Sequence, residues 1–222
     1  MFDFLEGYDV LGAFWTTVQL TLLSAVGSLV WGTVLAGMRV SPVPLMRGFG
    51  AAYVNIVRNT PLTVIIVFTS LGLANIFGVT MGAEDNFDTK FFRLAVLGLT
   101  AYTAAFVCEA LRSGINTVPV GQAEAARAIG LSFTQVLTLI VLPQAFRTVI
   151  GPLANVLIAL TKNTTVAAAI GVAEAALLMK EMIENEAQLL AITAIFALGF
   201  VVLTLPTGLL LGWLSKRLAV KR

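Results

Sequence analysis

The chain has 222 residues, of which 58% are hydrophobic and only 12% charged, with mean hydropathy +0.93 and net charge +2. Soluble domains carry about 25% charged residues, so a soluble globular fold is excluded, and no concentrated basic face exists for nucleic acid. One Cys and no His rule out a disulfide, a Cys-based metal site and the usual general base.

The predicted elements follow in chain order. Met1 to Asp9 is acidic, with Asp3, Glu6 and Asp9, and lacks the basic first region and cleavage site of a secretory leader. Phe2 to Gly7 is expected to lie along the outer interface. A span needs about 20 apolar residues. Five α-helical spans are expected, at 10–38, 59–80, 92–114, 148–171 and 188–215. Ser41-Pro-Val-Pro44 is a turn, because neither proline continues a helix interior. Span two opens at Arg58-Asn-Thr-Pro61, with Thr60 as its N-cap and Pro61 as its first helical residue. Gly78 to Asp88 forms an outer loop, and 115–147 is a long cytosolic loop. Ala173 to Glu186 has the composition of a short outer helix.

Charge sorts by loop. Residues 39–58, 109–147 and 216–222 hold ten of the 14 basic residues, whereas 1–9, 84–93 and 172–187 hold ten of the 12 acids. Basic loops face the cytosol, which places the N-terminus outside and the C-terminus inside. No internal repeat is visible, which argues against a self-sufficient secondary transporter.

The cytosolic loop is punctuated. Gln122 to Ala128 is a run of helix formers with small residues Ala123, Ala125, Ala126 and Ala128, rimmed by Glu124 and Arg127. Gly130 is placed to end this helix in a left-handed conformation. Ser132 and Gln135 have capping-box spacing, and Pro143 interrupts before span four. Two short helices joined at a glycine elbow result: a docking knob or an ordinary interfacial loop.

Glu124-Ala125-Ala126, then Gly130, then Leu142-Pro143 resembles the EAA…G…LP loop of ABC-importer permeases, in particular the polar amino-acid subfamily that includes histidine, glutamine, arginine and glutamate permeases. Arg58 to Pro61 is similar to that subfamily's Arg-x-Thr-Pro. Tyr102, Glu109, Arg112, Gly114 and Ile115 follow its span-three pattern. Pro119, Gly121 and Gln122 precede the EAA triplet as Pro-x-Gly-Gln, and Leu142 to Arg147 reads Leu-Pro-Gln-Ala-x-Arg. The resemblance covers roughly residues 12–215. It implies a type I importer transmembrane domain in a bacterial cytoplasmic membrane, working by alternating access. It further implies ABC ATPase partners that bind ATP and Mg, a second permease subunit (identical or a sister chain), and an extracytoplasmic amino-acid-binding protein. Gly121, Gln122, Glu124, Ala125, Ala126, Arg127 and Gly130 would couple to the ATPase. The chain has no Gly-x-x-x-x-Gly-Lys-[Ser/Thr] loop of its own, so no cofactor, metal or catalytic residue is expected in it.

Two departures stand out. Val120 replaces a frequent Lys, and Lys162-Asn163-Thr164-Thr165 stands where Lys-Asp-Thr-Ser is common. A Lys within a span costs about 2.5–3.5 kcal/mol on insertion scales and calls for a partner. Asn163 removes the neighbouring carboxylate, so an anionic substrate could supply the missing charge, which favours glutamate or aspartate over glutamine or another polar amino acid. Alternatively Lys162, ~21 Å along span four at 1.5 Å per residue, snorkels to the outer headgroups. Thr164 lines a pocket or bonds its own helix. Asn155 lines the same face or joins helices. Glu109 pairs with Arg112 or reaches Lys162. A passive channel or scaffold subunit is the remaining alternative.

Overall fold

The structure, a computed structural model, describes residues 7–82 and 86–218. Phe2 to Leu5 and Glu6 of the expected interfacial lead-in, Glu84 and Asp85 of the outer loop, and the last basic residues of the tail lie outside the described residues.

Helix α1 (Val10–Val40) starts where Asp9 Oδ1 accepts the Gly12 N–H at 2.8 Å, and it ends at Ser41, one residue before Pro42. The stretch after it is not a plain loop. Pro44 opens a 15-residue helix α2 (Pro44–Arg58), since proline at the first helical position loses no hydrogen bond. Gly50 and Val54 of α2 are buried against the bundle, while Leu45, Phe49 and Ile56 face outward. A composition count misses such a helix because its apolar stripe is divided between protein and exterior.

The second expected span also differs. Thr60 Oγ1 donates back to the Ile56 carbonyl at 2.8 Å and so caps nothing, and the next helix starts at Leu62, not Pro61. It runs as α3 (Leu62–Val67), a π-helical stretch Phe68–Gly72 and α4 (Leu73–Phe77), ending at Gly78 with φ +66°. Thr69 and Ser70 donate their hydroxyls to the Ile65 and Ile66 carbonyls, which accounts for the locally widened turn. The axis bends by 107° between α2 and this segment, so among the described residues four helices are long and apolar enough to cross a membrane, and five if the bent pair counts as one span.

Helix α5 (Phe87–Ile115) begins five residues before the expected 92, because Asn86 Oδ1 accepts the Thr89 N–H at 2.8 Å and sets the cap. It is the central helix: Leu94, Ala95, Leu99, Ala104, Ala105 and Val107 are fully buried. Helix α1 packs along it. A Cβ at Gly32 would come within 2.6 Å of Val107 Cβ and 2.9 Å of the Ala104 carbonyl oxygen, so only glycine allows this approach, as in small-residue helix seams within membranes.

Two short helices, α6 (Val120–Ala128) and α7 (Phe133–Gln135), lead into a π-helical stretch Val136–Val141 and then α8 (Leu142–Asn163). Pro143 therefore does not interrupt the chain before span four. It sits in the first turn of α8, where its missing N–H is tolerated, and the preceding π turn absorbs the change of register. Beyond α8 a 3₁₀ stretch, Thr164–Ile170, ends at Gly171 with φ +82°. Helices α9 (Ala175–Glu186) and α10 (Leu189–Leu218) complete the fold. The α9 range matches the helix expected from composition. Arg39 and Arg112 meet at Glu109 at one end of the bundle, and Asp9 and Glu181 line a cleft at the other.

Glu174 caps α9. It is fully buried, and its carboxylate accepts the N–H groups of Ala176 (2.9 Å) and Leu177 (3.0 Å). Burial pushes its pKa above the usual carboxylate value, against the pull of those two bonds and of the Thr17 hydroxyl. A raised folded-state pKa means that Glu174 contributes most below its unfolded value of about 4.5, and that this contribution is lost as pH rises through the folded pKa. Glu174→Gln is expected to flatten this pH dependence. Glu174→Ala is expected to cost about 1–2 kcal/mol through loss of the cap. Thermal unfolding of the detergent-solubilised protein across the acidic to neutral range checks both.

Candidate functional site

At the end that carries Arg39 and Arg112, the α6–α7 elbow is built by backbone chemistry. Pro119 precedes α6, and Gly130 takes φ +90° while Leu131 N–H donates to the Ala126 carbonyl at 3.1 Å, a glycine-terminated helix end. Ser132 and Gln135 then cap reciprocally: the Gln135 N–H donates to Ser132 Oγ (3.3 Å) and the Ser132 N–H to Gln135 Oε1 (2.9 Å). The elbow rests on a small core in which Val118, Ala126, Val136 and Val141 are buried, with Ala123 packed against them.

The four alanines therefore do not share one face. Positions 125 and 126 lie about 100° apart on a helix, so Ala126 turns inward and Ala125 outward. The outer face carries Gly121, Glu124, Ala125 and Ala128, all exposed, with Ile129 81% exposed at its end. Gln122 is exposed but tied inward, its Oε1 accepting from Gln144 Nε2 at 2.7 Å. Arg127 lies over the Phe133 ring, 6.0 Å from its centroid, and so braces α6 against α7. A Cβ on Gly121 or Gly130 would meet nothing within 4 Å: the outer face is open.

Midway along the bundle, α5 and α8 line a half-open cavity of about 290 Å³. Tyr102, Thr103 and Phe106 line it from α5, and Asn155, Ala159 and Asn163 from α8. The α8 residues recur every four positions, which aligns them on one face. Asn155 and Asn163 thus share one face of α8, about two turns apart, across from three α5 side chains. Lys162 is exposed and does not line the cavity. Thr164 is buried, but its hydroxyl donates to the Thr161 carbonyl at 2.7 Å, the internal bond and not the pocket role. Thr165 likewise donates to the Lys162 carbonyl at 2.8 Å.

Glu109 belongs to neither place. Its carboxylate bonds Arg39 and lies 3.7 Å from Arg58 and 4.0 Å from Arg112. The i, i+3 pairing with Arg112 is present as the weakest of three, and Glu109 is committed to arginines rather than to Lys162. Arg58 also packs on Phe106, 5.7 Å from the ring centroid, so the cluster joins α1, α2 and α5 beside the cavity wall. Among the described residues no group of His, Cys, Asp and Glu could hold a metal ion.

The sequence reading missed Thr103 and Phe106. Their spacing of three marks one helical face, but that this face meets Asn155 and Asn163 follows only from how α5 packs on α8.

Over residues 11–220 the chain matches the family described as the binding-protein-dependent transport system inner membrane component. It is 56% identical over 220 residues to the glutamate transport system permease protein GluC of Corynebacterium efficiens, an alignment that covers 97% of this chain and 96% of that protein. It is 34% identical over 221 residues to the probable glutamine ABC transporter permease protein GlnM of Bacillus subtilis, covering 98% of this chain and 96% of that protein. Among solved structures it is similar to an amino acid ABC transporter crystallised with histidines, with a TM-score of 0.82 and 25% identity, covering 94% of this chain and 93% of that one.

Proposed function

The chain belongs to the family of binding-protein-dependent transport system inner membrane components, and from this premise we propose that it is the permease subunit of an ATP-driven glutamate importer. It is a multi-pass protein of the bacterial cytoplasmic membrane. The observation that carries the glutamate reading is the 56% identity to a glutamate permease along nearly the whole chain.

In this reading the end bearing Arg39, Arg112 and the α6–α7 elbow faces the cytosol, in keeping with the positive-inside bias. ABC ATPases dock on the outer face of α6, at Gly121, Glu124 and Ala125, while Ala126 and Gly130 give the elbow its shape. ATP and Mg are held by those partners, and this chain does no chemistry. A second permease subunit faces the α5–α8 side, and an extracytoplasmic binding protein delivers the amino acid at the opposite end. Closure of the ATPases pushes the elbow. Because the π stretch and α8 continue from it without a loop, the push is carried along α8, past Pro152 within the helix, toward Asn155 and Asn163.

Uptake by proteoliposomes holding permease, ATPase and binding protein tests this, with glutamate, aspartate and glutamine supplied separately. Glutamate-dependent ATP hydrolysis and uptake are expected. Uptake of glutamine alone would overturn the substrate assignment in favour of the second reading, a glutamine permease, which rests on the neutral Asn155 and Asn163 carboxamides in the cavity wall.

Lys162 has a separate role in this proposal. It adjoins Asn163 at the end of α8 and offers the anionic cargo a positive potential on its path. Lys162→Ala is expected to lower glutamate uptake about tenfold, as one interaction with a charged group accounts for roughly 1.5–3 kcal/mol. The outward-facing Val26→Ala should change nothing. Equal uptake in both variants would return Lys162 to a headgroup-facing position.

A further inference from the structure

Thr103 is 3% exposed, and among the described residues its Oγ1 is the buried side-chain polar atom that has no hydrogen-bond partner. The other buried threonines of the bundle behave differently. Thr17, Thr69, Thr161 and Thr164 all donate to a carbonyl three or four residues back, at 2.7–3.2 Å, the usual way to satisfy a hydroxyl inside an apolar helix. Thr103 forgoes that bond, and it lines the α5–α8 cavity. A buried hydroxyl without a partner is costly and calls for an explanation.

We propose that the Thr103 hydroxyl is a substrate-binding group, completed by the polar head of an α-amino acid held in the α5–α8 cavity opposite Asn155 and Asn163. This rests on the importer reading and adds to it the residue on α5 that grips the cargo.

The chemistry fits that class. A hydroxyl and two carboxamides each donate and accept, and an α-amino acid presents an ammonium donor and a carboxylate acceptor together. The cavity, at about 290 Å³, lies just below the range of drug-sized ligand pockets, about 300 to 1,000 Å³, in keeping with a cargo as small as one amino acid. Arg58 stacks behind Phe106 and brings a cation up to the wall without occupying the space. While the cavity lacks cargo, Thr103 is the unsatisfied group. When the amino acid arrives it is satisfied, so the hydroxyl favours the loaded state.

Thr103→Val keeps the side chain's shape and removes the oxygen, and Thr103→Ser keeps the oxygen. Because the wild-type hydroxyl has no protein partner to lose, Thr103→Val should unfold at or above the wild-type temperature. In proteoliposomes with permease, ATPase and saturating binding protein, Thr103→Val is expected to lower the maximal rate of glutamate uptake roughly tenfold, and Thr103→Ser less than about threefold. In detergent, glutamate should raise the unfolding temperature of the wild-type and Thr103→Ser permease–ATPase complexes but not that of Thr103→Val. Wild-type uptake by Thr103→Val overturns the proposal, as does a Thr103→Ser variant equally impaired, since that would mark lost packing. If the wild-type complex takes up another amino acid in place of glutamate, the glutamate reading fails and the same variants are scored with that amino acid. A wild-type complex inert to every amino acid overturns both.

Discussion

Glu124→Lys is expected to reduce uptake to background while the protein inserts into the membrane and keeps its helix content. Glu124 stands on the open outer face of α6 beside Ala125 and Ala128, and no side chain of this protein pairs with it among the described residues. Reversing its charge therefore costs the fold little, because an isolated exposed charge contributes little stability. Where a partner presents a cation to Glu124, the same reversal sets like charges together, which costs several kcal/mol. Gly130→Trp should have the same outcome by a different route. A side chain there meets open space, but φ +90° is a conformation that a residue with a Cβ adopts only under strain of order 1–3 kcal/mol. The bulky ring then projects where a partner would lie. Uptake and ATPase co-purification are the measurements: a variant that holds its ATPase and transports at the wild-type rate would remove the elbow from the coupling path.

Asn163→Asp is the second large expected effect. Asn163 lines the cavity together with Asn155, and both are neutral. A carboxylate at 163 would set a second negative charge beside an acidic cargo held in this cavity, for instance at about 5 Å. Two like charges at that separation repel by roughly 3 kcal/mol at an effective dielectric constant near 20, or about 100-fold in rate or affinity. Glutamate uptake should fall by that order, whereas a cationic amino acid should be favoured, because specificity is set as much by repulsion of the wrong charge as by attraction of the right one. Competition of labelled glutamate by unlabelled arginine and glutamine reads the change. Unaltered glutamate transport in Asn163→Asp would place the cargo elsewhere, and Lys162 and Thr103 with it would lose their proposed roles.

The elbow and the cavity were unequally legible in the chain. The elbow is local: Gly130, the Ser132–Gln135 box and the helix formers from Gln122 onward act within a few residues of themselves, so their spacing predicts their geometry. Where local reasoning fell short, a distant contact was the cause. Ala126 turns inward only because Val118, Val136 and Val141 fold back beneath it. Pro143 reads as a break, yet the π turn before it lets the helix run on. Helix α2 was invisible because its apolar residues serve two surroundings at once, and Thr60 was assigned to the wrong helix because the bend of 107° lies just after it.

Composition and charge order by themselves determined that this is an all-helical membrane protein with a basic end and an acidic end, because apolar length and loop charge are properties of contiguous segments and need no packing. The motif spacing likewise fixed the elbow and its family. Only the tertiary structure decided which polar residues meet: Asn155 and Asn163 with Thr103 across a cavity, Glu109 with three arginines, and Lys162 with neither. Arg112 aside, which neighbours Glu109 on α5, the two sides of each meeting lie about 50 to 70 residues apart in the chain, and side chains so far separated are brought together only by the way α1, α2 and α8 pack on α5.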